Sequence, residues 1–224
     1  MFDPFPKAVF FDWDGTLADT AQMVVDAHNH VRKMYDMPLI GFDDIFGQVT
    51  KSARETFPAL YGKEHAQTAE DELYKFTREK RFDYLKLLPG ALQLIDFLYD
   101  AGIPIGVVSN KRHEGLGQEI EGLNLSHKIA VYVGAGQASE DKPSAAPLLL
   151  ALERLGSGLK PADILYVGDT EADLLCAKNA GSPCIFVPHL HGKRELYDLY
   201  KPLFMLETLD EFTSMLAESL KKRA

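Results

Sequence analysis

The chain has 224 residues, 46% hydrophobic and 25% charged, the balance of a soluble globular protein with one large domain or a domain carrying a smaller insert. Its formal net charge of −9 argues against a general nucleic-acid or membrane-surface binder but leaves room for a local anion pocket. Cys176 and Cys184 make no disulfide framework, no signal pattern opens the chain, and no apolar run approaches the roughly 20 residues of a membrane helix, so a cytoplasmic protein with buried thiols is expected.

The first strand is expected over Ala8–Phe11, an apolar run that leads straight into Asp12, Asp14, Gly15 and Thr16. From Thr20 to Leu88 no strand pattern follows. Helical segments are expected instead, near Ala21–Tyr35, Phe42–Phe46, Lys51–Tyr61 and Glu64–Phe82, punctuated by Pro38, Gly47 and Gly62. A crossover between parallel strands needs only a dozen or so residues. The excess predicts an all-helical cap domain over 20–87, inserted into a core domain of 1–19 and 88–224.

Beyond the insert, strands are expected at Ile103–Val108, Ile129–Val133, Ile164–Val167 and Cys184–Val187. Helices are expected at Ala91–Ala101, Ser144–Leu155, Glu171–Ala180 and Thr208–Ala224. The Lys221-Lys222-Arg223 ending of the last complements its C-terminus. Strands alternating with helices predict an α/β fold, a Rossmann-like parallel sheet with helices on both faces.

In such sheets ligands bind beyond the carboxyl ends of the strands. Asp12 and Asp14 follow the first strand, and Ser109, Asn110 and Lys111 the second. The loop 134–140 and Lys142 follow the third, and Gly168, Asp169, Thr170 and Asp173 the fourth. Each group alone has a plain structural reading as a strand-exit cap or a solvated lysine; their convergence on one edge does not.

Like charges at about 4 Å and an effective dielectric near 20 cost on the order of 4 kcal/mol per pair, which a divalent ion relieves. An all-oxygen set favours Mg²⁺ bridging to a phosphate. A calcium loop starting at Asp12 fails, because Leu17 and Met23 stand where it needs Gly and Glu. Motifs of nucleotide-binding loops, zinc proteases, CxxC redox sites and serine hydrolases do not occur.

Phosphoryl transfer suits these groups. Asp12, ionised at neutral pH, would attack phosphorus and form an aspartyl-phosphate. Asp14 would give a proton to the leaving oxygen and later take one from water. Lys142 would offset the phosphoryl charge, and Ser109 and Asn110 would bind phosphate oxygens. His28, His30, His189 and His191 are expected as surface or loop residues.

In Asp12-Trp13-Asp14-Gly15-Thr16, Ser109-Asn110-Lys111, Lys142-Pro143 and Gly168-Asp169-Thr170-Glu171-Ala172-Asp173, the chain resembles the haloacid dehalogenase-like hydrolases, in the phosphoglycolate phosphatase-like branch with a helical cap. The resemblance implies that Asp12 is the nucleophile and Asp14 the general acid/base. It implies that Asp12, the Asp14 carbonyl and Asp169 hold Mg²⁺ with Asp173 beside them, and that Ser109, Asn110 and Lys142 hold the phosphate.

Trp13 departs from the smaller or phenylalanine-type residue usual there, and its side chain is expected to point away from the nucleophile. True dehalogenases lack an acid at the Asp14 position, which favours phosphoryl chemistry. Phosphonoacetaldehyde hydrolases need a Schiff-base cap lysine, and neither Lys51 nor Lys63 is marked as desolvated. The leading reading is a Mg²⁺-dependent phosphatase of a small phosphorylated metabolite, with 2-phosphoglycolate the first compound to test. A sugar phosphomutase of the same family and a non-catalytic phosphate-ligand binding protein are the alternatives. Phe46, Lys51, Arg54 and Tyr61 are the cap residues that could face the site, and hinges are expected near Ala18–Thr20 and Leu87–Gly90. Whether the protein is a monomer or dimer is not legible.

Overall fold

A computed structural model describes residues 2, 5–42, 44, 52–188 and 194–222. Among these, a six-stranded parallel sheet is built from β1 (Ala8–Phe11), β4 (Ile105–Arg112), β5 (Ile129–Ala135), β6 (Ile164–Gly168), β7 (Cys184–Phe186) and β8 (Phe204–Met205). Their spatial order is β5-β4-β1-β6-β7-β8. The chain winds outward from β1 through β4 to β5, then crosses back to lay β6 against the other side of β1. The switch of direction therefore falls at β1 and β6, where such sheets open a crevice at their carboxyl edge.

Alternation along β1 divides the core. Val9 and Phe11 face a cluster that includes Leu94, Ile95 and Leu98 of α4 (Ala91–Asp100) and Leu209, Phe212 and Leu216 of α9 (Leu209–Lys221). Ala8 and Phe10 face the opposite cluster, with Leu148, Ala151 and Leu152 of α6 (Ala146–Leu155) and Leu174, Cys176 and Ala177 of α7 (Glu171–Ala180). A buried sheet covered on both faces explains why β1 and β6 read as continuous apolar runs. Both cysteines are buried, as expected.

Between β1 and β4, helices α1 (Ala21–Met34), α2 (Ala53–Tyr61) and α3 (Ala66–Tyr84) pack around their own apolar cluster of Ala27, Val31, Phe57, Tyr61, Ala69 and Leu73. The two connections to this bundle pair with each other. Strand β2 (Ala18–Asp19) runs antiparallel to β3 (Lys86–Leu87), Leu88 N–H donates to Leu17 O at 2.9 Å, and Lys86 Nζ pairs with Asp19 at 2.9 Å. The expected segment Phe42–Phe46 falls largely outside the described residues, as do Lys51, His189, His191 and Arg223.

Three differences from expectation have physical causes. Strand β4 runs on to Arg112 through an irregular register with β5, so Ser109, Asn110 and Lys111 belong to the strand end instead of a following loop. Helix α5 (His113–Gly122) has no counterpart among the expected elements, because Gly115, Gly117 and Gly122 weaken its pattern. Two of those glycines make room for neighbours, since a Cβ on Gly117 would stand 2.7 Å from the Tyr132 hydroxyl and one on Gly115 2.9 Å from the Arg81 guanidinium. His28 is buried, not at the surface. Its ring packs edge-on against Phe57, and burial, aided by Arg32, pushes its pKa down to about 4.

Candidate active site

The β1 exit sets the first two acids. The Asp12 N–H donates to Val167 O at 2.9 Å, continuing the ladder for one residue, and the chain then turns tightly with Leu17 and Ala18 N–H donating to Trp13 O. Gly15 takes φ +84 in that turn, and a Cβ there would stand 2.4 Å from Asp169 Oδ2. Glycine is thus required twice over, by conformation and by the close approach of the β6 exit. Thr16 fixes the same neighbour, its hydroxyl donating to Asp169 Oδ1 at 2.8 Å.

Asp12, Asp169 and Asp173 are all buried, with one oxygen of each lying within 4.8 Å of the others. Lys142, only 2% exposed, reaches in from the loop after β5 and donates to Asp12 Oδ1 and Asp173 Oδ1, at 2.6 Å each. Burial alone would lower the Lys142 pKa, but Asp12 and Asp173 raise it above the ordinary lysine value, so it stays a cation. Asp12 is pushed up to about 7, first by burial and then by Asp173, against the pull of Lys142. Burial, then Asp12 and Asp173, drive Asp169 well above the carboxylate range.

Three carboxylates facing one ammonium ask for further positive charge. The oxygen-only acids, with no histidine or thiol among them, suit a hard divalent cation. The residues present therefore fit Mg²⁺.

Asp173 carries more than a place in the cluster. Its Oδ1 also meets the Tyr166 hydroxyl at 3.1 Å, while Oδ2 accepts from Thr170 N–H at 3.0 Å and from the Thr170 hydroxyl, a capping box that starts α7. A Cβ on Gly168 would stand 2.4 Å from Asp173 Cβ, so the glycine lets this side chain fold back over the strand end.

Ser109 is buried, and its Oγ accepts from Lys111 N–H at 3.1 Å, which leaves the hydroxyl proton free to be donated. Asn110 is placed differently from expectation. Its side-chain amide donates to Lys142 O and accepts from Lys142 N–H, both at 2.9 Å, so it clamps the Lys142 backbone beside the cis Lys142–Pro143 peptide. Asp14 is turned toward Lys111 and Thr20. Lys111 Nζ lies 2.7 Å from Asp14 Oδ1, and the Thr20 hydroxyl donates to the same oxygen.

Of the insert residues singled out in the sequence, Arg54 comes to the sheet edge, its Nε 2.7 Å from Asp141 Oδ2, next to Lys142. Tyr61 does not. It is buried among the insert helices against Phe57 and Tyr35. Phe46 and Lys51 lie outside the described residues, and Lys63 is exposed.

Sequence reasoning left Tyr166, Glu119 and Arg81 without a role. Tyr166 read as an ordinary strand residue, and Glu119 sits in the helix its glycines concealed. Trp13 was expected to point away from Asp12. It is fully buried, with its indole N–H donating to Glu119 Oε2 at 2.7 Å.

Comparison with known proteins bears on the whole arrangement. The family model described as haloacid dehalogenase-like hydrolase matches residues 9–187. A phosphoglycolate phosphatase from Xanthomonas campestris pv. campestris is 33% identical over 187 residues, covering 81% of this chain and 82% of the relative. The pyrophosphatase PpaX of Bacillus velezensis is 25% identical, covering 94% of this chain and 96% of that protein. Among solved structures, a putative haloacid dehalogenase-like hydrolase from Bacteroides fragilis superposes with a TM-score of 0.84 at 24% identity, over 92% of this chain and 99% of that one. The matched span runs from β1 through β7 and so takes in every residue of the acidic cluster and its lysine. By this match and by that of its 33% identical relative, the chain belongs to the haloacid dehalogenase-like hydrolases.

Proposed function

We propose that the protein is a Mg²⁺-dependent phosphatase that hydrolyses a small phosphomonoester through an aspartyl-phosphate on Asp12, with 2-phosphoglycolate the first substrate to test. The carrying observation is the buried Asp12–Lys142–Asp173 contact at the switch point of the sheet, with Asp169 alongside. Membership of the hydrolase family and a phosphoglycolate phosphatase as a 33% identical relative support the reaction class.

In this reading Asp12, Asp169 and the Asp14 carbonyl hold Mg²⁺, with Asp173 at its side, and the metal supplies neutralisation of the phosphoryl oxygens. Lys142 holds one Asp12 oxygen, which fixes the carboxylate's orientation and leaves its other oxygen to attack phosphorus. The Ser109 hydroxyl and the main-chain N–H groups at the end of β4 bind phosphoryl oxygens, and Asn110 serves them by fixing Lys142. Asp14 donates a proton to the leaving oxygen as the P–O bond breaks. It then takes a proton from the water that attacks the acyl phosphate, releasing phosphate and restoring Asp12.

The helical insert, residues 20–87, acts as a cap that closes over this edge and excludes water, with Arg54 beside Asp141 as one of its contacts. A phosphate-release panel of small phosphoesters with Mg²⁺, including 2-phosphoglycolate and pyrophosphate, tests the proposal. EDTA should silence turnover, and acid-quenched enzyme should carry a hydroxylamine-labile phosphate that maps to Asp12. Full turnover in EDTA, or isomerised product without free phosphate, overturns it.

A further inference from the structure

We infer that Glu119, acting through Lys111, is a positioning residue for the Asp14 carboxylate. The inference rests on the reading above that Asp14 carries the proton.

Glu119 lies on α5, outside the four motifs, and is 1% exposed. Its two oxygens gather two donors and one further cation. Lys111 Nζ lies 2.8 Å from Oε1 and 2.6 Å from Oε2, and the Trp13 indole N–H donates to Oε2 at 2.7 Å. Arg81 Nε sits 3.4 Å from Oε1, an ion-pair distance without hydrogen-bond geometry. The same Lys111 Nζ lies 2.7 Å from Asp14 Oδ1.

The result is a chain of alternating charge, Arg81–Glu119–Lys111–Asp14, buried at Arg81 and Glu119 and partly open at Lys111 and Asp14, balanced at two positive and two negative groups. Trp13, the neighbour of Asp14 in the chain, enters it through its indole N–H. The unusual tryptophan gains a role here, because a phenylalanine at that position has no N–H to give Glu119. A lysine on four rotatable bonds does not hold a carboxylate in place by itself. Gripped by both Glu119 oxygens, its ammonium becomes a fixed point against which Asp14 is set. Arg81 belongs to the last turn of α3, just before β3, and Gly115 leaves it the room to reach Glu119. The insert's exit and the Asp14 side chain thus share one carboxylate.

The test separates positioning of a proton donor from simple structural support. An alkyl phosphate such as 2-phosphoglycolate needs a proton on its leaving oxygen, whereas p-nitrophenolate departs from p-nitrophenyl phosphate without one. Lys111→Met and Glu119→Gln should each lower kcat on 2-phosphoglycolate on the order of 10²-fold, the scale of general acid catalysis. On p-nitrophenyl phosphate the first-turnover burst of p-nitrophenolate, which needs no general acid and precedes the water attack that Asp14 serves as base, should stay within about 3-fold. Lys111→Arg should recover part of the loss. In the Glu119→Gln background, Lys111→Met should add little.

Melting curves identify a variant that fails to fold, and because the two variants report separately, the other then carries the test. In single turnovers Asp14→Asn must likewise slow phosphorylation of the enzyme by 2-phosphoglycolate far more than by p-nitrophenyl phosphate. If it does and Lys111→Met and Glu119→Gln do not, the inference falls alone. If Asp14→Asn slows the single-turnover phosphorylation step equally with both esters, the proton-donor reading falls and takes the inference with it.

Discussion

Replacing Asp12 by asparagine should silence turnover and, in metal-free buffer, raise the melting temperature. In the folded chain burial and the neighbouring Asp173 push the Asp12 carboxyl from an ordinary 3.8 up to about 7. Between those pH values the folded state holds a proton that the unfolded state has released, so stability falls as pH rises. At about 1.4 kcal/mol per pH unit the penalty grows from nothing near pH 4 to about 4 kcal/mol above pH 7. Asparagine does not titrate and keeps a carbonyl oxygen for Lys142. Each kcal/mol moves the midpoint of a chain of this size by about 2–4 °C, so the gain at pH 7.5 in EDTA has a ceiling of about 8–16 °C. Differential scanning fluorimetry from pH 4 to 8, with EDTA or Mg²⁺, reads it. The gain should shrink toward pH 4, and added Mg²⁺ should stabilise the wild type more than the variant. A variant less stable than wild type at pH 7.5 without metal, or a gain independent of pH, refutes the electrostatic reasoning. Retained turnover refutes the role of Asp12 as nucleophile.

Lys142→Met removes the ammonium 2.6 Å from both Asp12 and Asp173. Uncompensated buried carboxylates should cost about 3–5 kcal/mol, seen in denaturant melts at pH 7.5, with partial recovery on acidification as the acids take up protons. Gly15→Ala sets a Cβ 2.4 Å from Asp169 Oδ2 at a φ that alanine resists. It should weaken Mg²⁺ activation, measured as the metal concentration for half-maximal turnover, by about 10-fold or more. Tyr166→Phe removes a hydroxyl shared among Lys142, Asp173 and Val108, and should cost about 0.5–1.5 kcal/mol of stability.

The parallel sheet and most of the acidic cluster were legible because each strand exit announces itself locally. An apolar run that ends in Asp says both where the strand stops and which edge it serves, whereas Ser109-Asn110 marks the edge alone, because β4 runs on to Arg112. What stayed hidden was set by tertiary contact. Asn110 looked like a phosphate ligand, and only the approach of the β5 loop shows its amide committed to the Lys142 backbone. Glu119 and Arg81 lie 38 residues apart in number but meet through a helix whose glycines masked it. The two-residue strands β2 and β3 are too short to carry any periodic signal. His28 read as polar because its apolar surroundings come from another helix.

Those two short strands have an architectural meaning. Ala18 and Leu87 are register partners, so the chain leaves for the helical bundle and comes back at adjacent positions of one ribbon. Excising everything beyond the ribbon and closing it with a tight turn would leave the sheet's connectivity, and the path through Asp12 and Asp14, as they were. The bundle is in this sense a graft covalently joined at one ribbon, with Arg54 and Arg81 as side-chain ties to Asp141 and Glu119. Bundles from other proteins, joined at the same pair of residues, offer a way to exchange what the sheet edge meets without rebuilding the edge itself.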